Sequence, residues 1–266
     1  MTNSGNAESL MSLLEPTEPP AFNVVNIRGR SSAVLVCDHA SHRVPHRLGS
    51  LGLEPARLME HIGWDPGAAE VARRLSAQLD APLILSGYSR LVIDCNRPLR
   101  SAESIPEQSA GVAVPGNCGL SLQDRALRIK TLFEPYHRAI DTLLDERAGR
   151  PTLLLSIHSF TPVLDNKPRP WNIGVSNGPD RRLAALMLRA LAHDTSISIG
   201  DNQPYPIEAD TDYTLTAHGE GRGLQNVMIE IRQDGITTAT DAGVWATRLA
   251  EAYRRIETGA LRVCTP

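Results

Sequence analysis

The chain has 266 residues with a formal net charge of −3, of which 41% are apolar, 21% charged and only 4% aromatic. This length suits one large α/β domain or two ordinary ones, with a core built mainly from Leu, Val, Ile and Ala, and the charge excludes the basic face that a nucleic-acid partner requires. The four cysteines, at positions 37, 95, 118 and 264, form no CxxC pair, which excludes a zinc ribbon and argues against a disulfide framework.

Residues 1–22 are rich in Ser, Asn, Glu and Pro and predict a flexible lead-in that contributes little core. The opening MTNSGNAESL has neither a basic start nor an apolar stretch, so no signal peptide is expected. No apolar run approaches the ~20 residues of a membrane span. The expected compartment is the cytoplasm. Residues 23–266 show no linker, repeat or low-complexity block and predict a single domain.

AVLVC (Ala33–Cys37) reads as a buried strand. Pro66 opens a helix that runs to about Leu79, with Ala69, Val71, Ala72 and Leu75 on its inner face. Pro82–Leu85 and Leu91–Cys95 read as strands. A loop over residues 98–119 leads to Ser121, an N-cap for a helix whose Leu127, Phe133, Tyr136, Ile140 and Leu144 share one face. Thr152–Ile157 and Trp171–Ser176 predict strands, Asp180–Ala192 a helix, Asn226–Ile231 a strand and Ala239–Ile256 a closing helix. Such alternation predicts an α/β fold: three layers, with a mostly parallel or mixed twisted sheet and helices on both faces. Ligands of such sheets bind beyond the carboxyl ends of the strands.

Polar residues cluster where that rule points. Asp38-His39 follows AVLVC, Asn96-Arg97 follows LVIDC, and His158-Ser159 follows TLLLSI. Glu230 sits inside VMIEI, and strand alternation places it on the face of Met228 and Arg232, away from Ile229 and Ile231. A carboxylate in that setting is costly to bury unless it is paired or its pKa is shifted, and a raised pKa suits a proton shuttle.

The stretch TLLLSIHSF resembles the strand and histidine of zinc carboxypeptidases, LVIDCNRP their Asn-Arg segment, and VMIEIRQD the strand of their catalytic glutamate. The whole series CDHASHRVP, HIGWDPGA, IDCNRP, IPEQSAGVAVPGN, IHSF and HGEGRGLQNVMIEIRQD resembles most the N-formylglutamate amidohydrolase family, over residues 30 to 255. This resemblance implies a phosphorylase/hydrolase-like, zinc-carboxypeptidase-like fold and one zinc per chain. It also implies a small N-acyl amino acid substrate, foremost N-formyl-L-glutamate. It makes His39 and His158 zinc ligands, Asn96 and Arg97 the grip on a substrate carboxylate, and Glu230 the acid/base. Those roles suit the chemistry. Catalytic zinc takes three protein ligands of imidazole or carboxylate type, and Arg presents a planar fork to a carboxylate. The third ligand stays open between Asp65 and His42. Carboxypeptidases carry a glutamate where this chain has His42, and His39-Ala-Ser-His42 departs from the His-Ser-Gly of the better-known deformylases.

Each of these residues also has a plainer reading. Glu230 could pair with Arg232 or Arg222, and Arg97 could serve Asp94. His61 reads as a residue that orients Asp65 or packs near Trp64. His218, in the glycine-rich AHGEGRG, is a further catalytic candidate that could touch substrate or oxyanion. His137 reads as a core histidine, and Cys37 and Cys95 as small buried hydrophobes. No GxSxG elbow supports a serine hydrolase, and GEGRG does not link a strand to a helix as a dinucleotide loop does. A non-catalytic binding protein for amino-acid derivatives remains the alternative to an enzyme. Neither oligomeric state nor acyl group follows from the sequence.

Overall fold

A computed structural model of the chain describes residues 12–262. Its centre is a seven-stranded sheet. The strands are β1 (Phe22–Val25), β2 (Ala33–Cys37), β3 (Leu83–Ser86), β4 (Leu153–Phe160), β5 (Ile173–Ser176), β6 (Ile199–Asp201) and β7 (Asn226–Arg232). Their order is β1-β3-β2-β4-β7-β5-β6. The run from β3 through β2 and β4 to β7 is parallel, β1 and β5 join it antiparallel, and β6 is parallel to β5. The sheet is mixed, within the α/β class expected.

The helices are α1 (Ala68–Leu79), α2 (Leu122–Arg128), α3 (Glu134–Glu146), α4 (Arg182–Leu191) and α5 (Ala239–Arg262). Strand alternation sorts the core between them. Leu35, Cys37, Leu155, Ile157, Val227, Ile229 and Ile231 face α1, α4 and α5, packing with Val71, Leu75, Met187, Trp245, Leu249 and Tyr253. Val34, Val36, Ile84, Leu154 and Met228 face α3, packing with Tyr136, Ile140, Leu143 and Leu144. Continuing the second parity to the strand ends carries Asp38, His158 and Glu230 onto the α3 side. Ser121 caps α2 as expected, its Oγ accepting from the Asp124 N–H. A wide π-type turn, Ile129–Phe133, then joins α2 to α3, accommodating Pro135, which has no N–H to donate.

Leu91–Cys95 is not a strand but a buried loop. β3 already pairs with β1 on one side and β2 on the other, so no sheet edge is open beside it. Side chains serve the loop's backbone instead. Asn117 Nδ2 donates to Leu91 O at 2.8 Å, and the buried Arg128 donates to Val92 O at 3.0 Å. Asn96-Arg97 therefore does not follow a strand, and His158 lies inside β4 rather than after it. The edge strands β1 and β6 were not expected from the sequence. Of the lead-in expected over residues 1–22, residues 1–11 lie outside the described residues. The remainder is less loose than expected, since Leu13 is buried in an apolar cluster with Leu91, Val92 and Ile93 and Tyr88 Oη donates to Pro19 O. Cys37 and Cys95 are buried free thiols, whereas Cys264 lies outside the described residues. No described helix is long and apolar enough to cross a membrane.

One contact ties the sheet to the wall of the site. Gly174 on β5 is the register partner of Glu230, and a Cβ there would sit 2.0 Å from Gln203 O. Gly174→Ala should displace the Gln203–Tyr205 segment and cost about 1–3 kcal/mol, the usual penalty of overpacking. Thermal melting checks this. An unchanged midpoint would show that the segment does not rest on the strand.

Candidate active site

The parallel pairing of β4 and β7 sets Glu230 directly beside His158. Asp38 and His39 leave β2 next to β4, and Asp65 arrives from the loop before α1, its N–H donating to His39 O at 3.0 Å. His39, Asp65 and His158 are thereby buried together, each offering one ligand atom within 4.8 Å of the others. Asp65 Oδ2 is 2.9 Å from His158 Nδ1 and 3.4 Å from His39 Nδ1. Atoms sharing a tetrahedral zinc at 2.0–2.1 Å lie about 3.3 Å apart, so this spacing suits such an ion.

The outer nitrogens of both rings are held by other carboxylates. His39 Nε2 donates to Asp94 Oδ1 at 2.7 Å, and His158 Nε2 donates to Asp38 Oδ2 at 3.0 Å. Each bond places an N–H on the outer nitrogen; once a cation displaces the proton that His158 Nδ1 shares with Asp65 Oδ2 at 2.9 Å, both Nδ1 lone pairs turn inward, the arrangement a metal-ligating histidine uses. His39 Nδ1 is buried with no hydrogen-bond partner among the described residues. The two Nδ1 atoms and the Asp65 oxygen are all electron-pair donors, so their convergence fits a cation. Asp38 is itself a hub, accepting from Tyr136 Oη at 2.9 Å, Thr214 Oγ1 at 2.6 Å and Ser156 Oγ at 3.0 Å. Burial alone would raise Asp38, Asp65 and Asp94, yet neighbouring imidazoles and, for Asp94, Arg90 outweigh it and hold all three below the usual carboxylate range.

Glu230 behaves in the opposite way. Burial pushes its carboxyl up to about 7 against the opposing pull of His158, and Oε2 has no hydrogen-bond partner among the described residues. The ion pairs considered for it are otherwise engaged. Arg232 binds Asp234 and Arg222 binds Asp141 and Asp145. Glu230 thus faces a cavity of about 370 Å³, lined also by His39, Asp65, His158, Arg90 and Arg97, within the range of small-molecule sites.

The remaining candidates separate. His42 lies outside the His–Asp–His group and packs edge-on against Trp64, ring centroids 5.0 Å apart. Asp94 serves Arg90 and His39 rather than Arg97. Arg97 lines the cavity with Nε on Glu103 at 3.1 Å and Nη1 on Thr211 O at 2.8 Å. Asn96 also lines it, but its carboxamide clamps the chain behind, donating to Asp212 and accepting from the Tyr213 and Thr214 N–H groups. His61 lines the cavity and makes no hydrogen bond to Asp65, so it does not orient that carboxylate.

His218 is not in the cavity. It is buried behind it, 2.9 Å from His137 Nδ1 and 3.0 Å from Asp141 Oδ1. His137 Nε2 donates to Cys95 O at 2.9 Å, which leaves its Nδ1 to accept from His218 Nε2. Burial lowers both imidazoles, His137 to about 3. Every nitrogen of this pair is spent on structure, as the core reading of His137 anticipates.

Asp38, expected at a strand end but without an assigned role, and two residues not expected from the sequence, Arg90 and Tyr205, also belong to the site. Asp38 holds His158, Arg90 binds Asp94 at 2.7 Å and approaches Asp65 at 3.6 Å, and Tyr205 lines the cavity. The role of Asp38 follows from strand parity, which sets it opposite Cys37. Arg90 and Tyr205 lie on loops and carry no such signal.

Comparison with known proteins identifies the class as an amide-hydrolysing enzyme. The family model described as N-formylglutamate amidohydrolase matches residues 31–237, and the chain belongs to that family. The gene product Atu2144 of Agrobacterium tumefaciens, a solved structure, is 38% identical, with 93% of this chain and 98% of that chain covered at a TM-score of 0.90. The N-formylglutamate amidohydrolase of Ralstonia eutropha JMP134 is 16% identical over 92% of this chain and 100% of that one, with a TM-score of 0.65, a likeness of fold alone. A search of curated proteins gave no match.

The geometry makes the ligand set testable. Asp65→Ala and His158→Ala should purify with little divalent metal, whereas His42→Ala should keep it. Asp94→Ala, which frees the His39 ring, should weaken metal binding about 10- to 100-fold. Metal analysis and chelator titration give the readout. Full occupancy in Asp65→Ala with loss in His42→Ala would reinstate His42 as the third ligand.

Proposed function

We infer that this chain hydrolyses the amide bond of an N-acyl amino acid, with N-formyl-L-glutamate the foremost substrate, and that His39, Asp65 and His158 hold one zinc ion. The observation that carries this reading is the buried, unpartnered Glu230 oxygen beside the inward-turned Nδ1 of His158. A structural ion pair would have satisfied that oxygen. Zinc in such a site supplies Lewis acidity, lowering the pKa of water and polarising an amide carbonyl.

The chain's own residues do the rest. A carboxyl pushed up to about 7 can both take and return a proton near neutrality. Glu230 removes a proton from the attacking water as its oxygen bonds to the acyl carbon. It delivers that proton to the amide nitrogen as the C–N bond breaks, so that N-formylglutamate yields formate and glutamate. Arg90, held by Asp94 and 23% exposed at its side chain, presents its remaining charge to the carbonyl oxygen as negative charge develops there. Arg97, fixed by Glu103 and Thr211, keeps Nη2 for the substrate's α-carboxylate.

Glu230→Gln tests the assignment. Gln is isosteric and Glu230 is not in the ligand group, so metal content and melting should stay near wild type. Turnover of N-formyl-L-glutamate should fall about 100-fold or more, the scale of a lost general base, with KM changing far less. A variant that melts lower but keeps its activity per folded molecule would make Glu230 structural. Full activity in a stable variant would remove the mechanism.

A further inference from the structure

Among the described residues three guanidinium groups stand at or beside the cavity, and two have a carboxylate partner within the chain. Arg90 grips Asp94 through Nε at 3.0 Å and Nη2 at 2.7 Å, and Arg97 is tied to Glu103. Arg169 is different. It is 8% exposed, and its Nη1 is buried with no hydrogen-bond partner among the described residues. Its guanidinium carbon lies 4.8 Å from the Tyr205 ring centroid and 5.7 Å from that of Phe160, and Nη2 donates to Tyr205 Oη at 2.6 Å. Among the described residues no carboxylate accepts from it.

A buried guanidinium without a counter-ion is costly, and two aromatic faces return only part of that cost. Phe160 and Tyr205 both line the cavity, so the uncompensated charge sits directly behind its wall. His61 lines the same wall, and its Nε2 is likewise buried and unpartnered. Burial lowers the His61 imidazole against the pull of Glu60, and the charges of Arg90 and Arg169 act in the same direction as burial. The plainer account is a packing plug: Arg169 O already accepts from Arg232 Nη1 at 3.1 Å. That bond uses the backbone alone and needs no charged side chain.

We propose that the Tyr205 hydroxyl and His61, with the Arg169 charge held behind them as a positioning group, bind the side-chain carboxylate of an acidic N-acyl amino acid, leaving the α-carboxylate to Arg97. Arg169 donates to the Tyr205 oxygen, which leaves that hydroxyl's proton for a carboxylate in the cavity, and the positive charge behind it then selects dicarboxylates over their amides. The assignment rests on the N-acyl amino acid reading, since it accounts for the second of that substrate's two carboxylates.

The test uses the metal-loaded protein and two ligand pairs that differ only in a carboxylate against a carboxamide. L-Glutamate and L-glutamine are titrated by calorimetry, and N-formyl-L-glutamate and N-formyl-L-glutamine are compared in kcat/KM. Wild type should prefer the acidic member of each pair. Arg169→Met keeps the apolar packing and loses the charge, so it should weaken the acidic members roughly 10- to 150-fold, the value of a charge-assisted hydrogen bond, and leave the amides unchanged. Arg97→Lys should weaken both members alike. Tyr205→Phe removes a single hydroxyl and should lower the acidic preference several-fold, and it serves should Arg169→Met fail to fold. A wild type without acidic preference overturns the proposal, as does an Arg169→Met protein, or failing that a Tyr205→Phe protein, that loses both members equally or neither. A wild type that prefers glutamate yet hydrolyses neither formyl compound keeps this site and sinks the hydrolytic reading instead.

Discussion

The structure turns on a deficit of positive charge at the carboxyl ends of β2 and β4. Asp38, Asp65 and Asp94 are all buried, and Arg90 is the guanidinium that pairs with two of them. Buried carboxylates are sustained only by donors and cations. Here the donors are imidazole N–H groups, hydroxyls and that one arginine. The central point, where Asp65 meets two ring nitrogens, needs a further cation, whether two protons on the rings or one metal ion. The outer bonds to Asp38 and Asp94 favour the metal, because they leave both inner nitrogens as electron-pair donors. Glu230 stands beside this centre with its Oε2 unpartnered among the described residues, and its raised pKa follows from the same burial that the other carboxylates offset by pairing.

The sheet delivers this arrangement through register. Asp38, Ser156, His158, Met228 and Glu230 share one parity across three adjacent parallel strands, so one face carries the proposed ligand, its support and the proposed acid/base. Behind that face, Ile157 and Ile229 are held against α1, α4 and α5. A slip of one residue in β7 would exchange Glu230 for an isoleucine and bury the carboxylate in the apolar layer. The hydrophobic pattern that builds the core therefore also fixes the catalytic geometry. Asp38 adds a cross-brace, joining the end of β2 to α3 through Tyr136, to β4 through Ser156 and His158, and to the segment that Asn96 clamps through Thr214.

Much of this was legible before any coordinates. The strands AVLVC and VMIEI, the amphipathic spacing of Tyr136, Ile140 and Leu144, and the parity of Glu230 are all local patterns, and the structure follows them. Leu91–Cys95 is the instructive exception. An apolar run of five marks burial, but burial as a strand also requires an open edge, and β3 has none left. What replaces the ladder is a pair of polar side chains from distant segments, Asn117 and Arg128, each spent on a loop carbonyl. Nothing local to LVIDC announces those partners.

The histidines show the same limit at the level of chemistry. His39 and His158 form one pair of buried rings, and His137 and His218 another, each pair at ring-centroid separations near five ångströms. In residue type and burial the pairs are alike. They differ in where their nitrogens point. In the first pair Asp94 and Asp38 take the outer nitrogens, and both inner ones converge on the single oxygen of Asp65. In the second pair the rings stack, and Cys95 O, the other ring and Asp141 consume every nitrogen. A glycine-rich loop next to the glutamate strand made His218 look like part of the reaction, yet that loop runs behind the cavity wall. What separates a ligand from a strut is the address of the second hydrogen bond, and that address is set by tertiary contacts 55 to 120 positions apart.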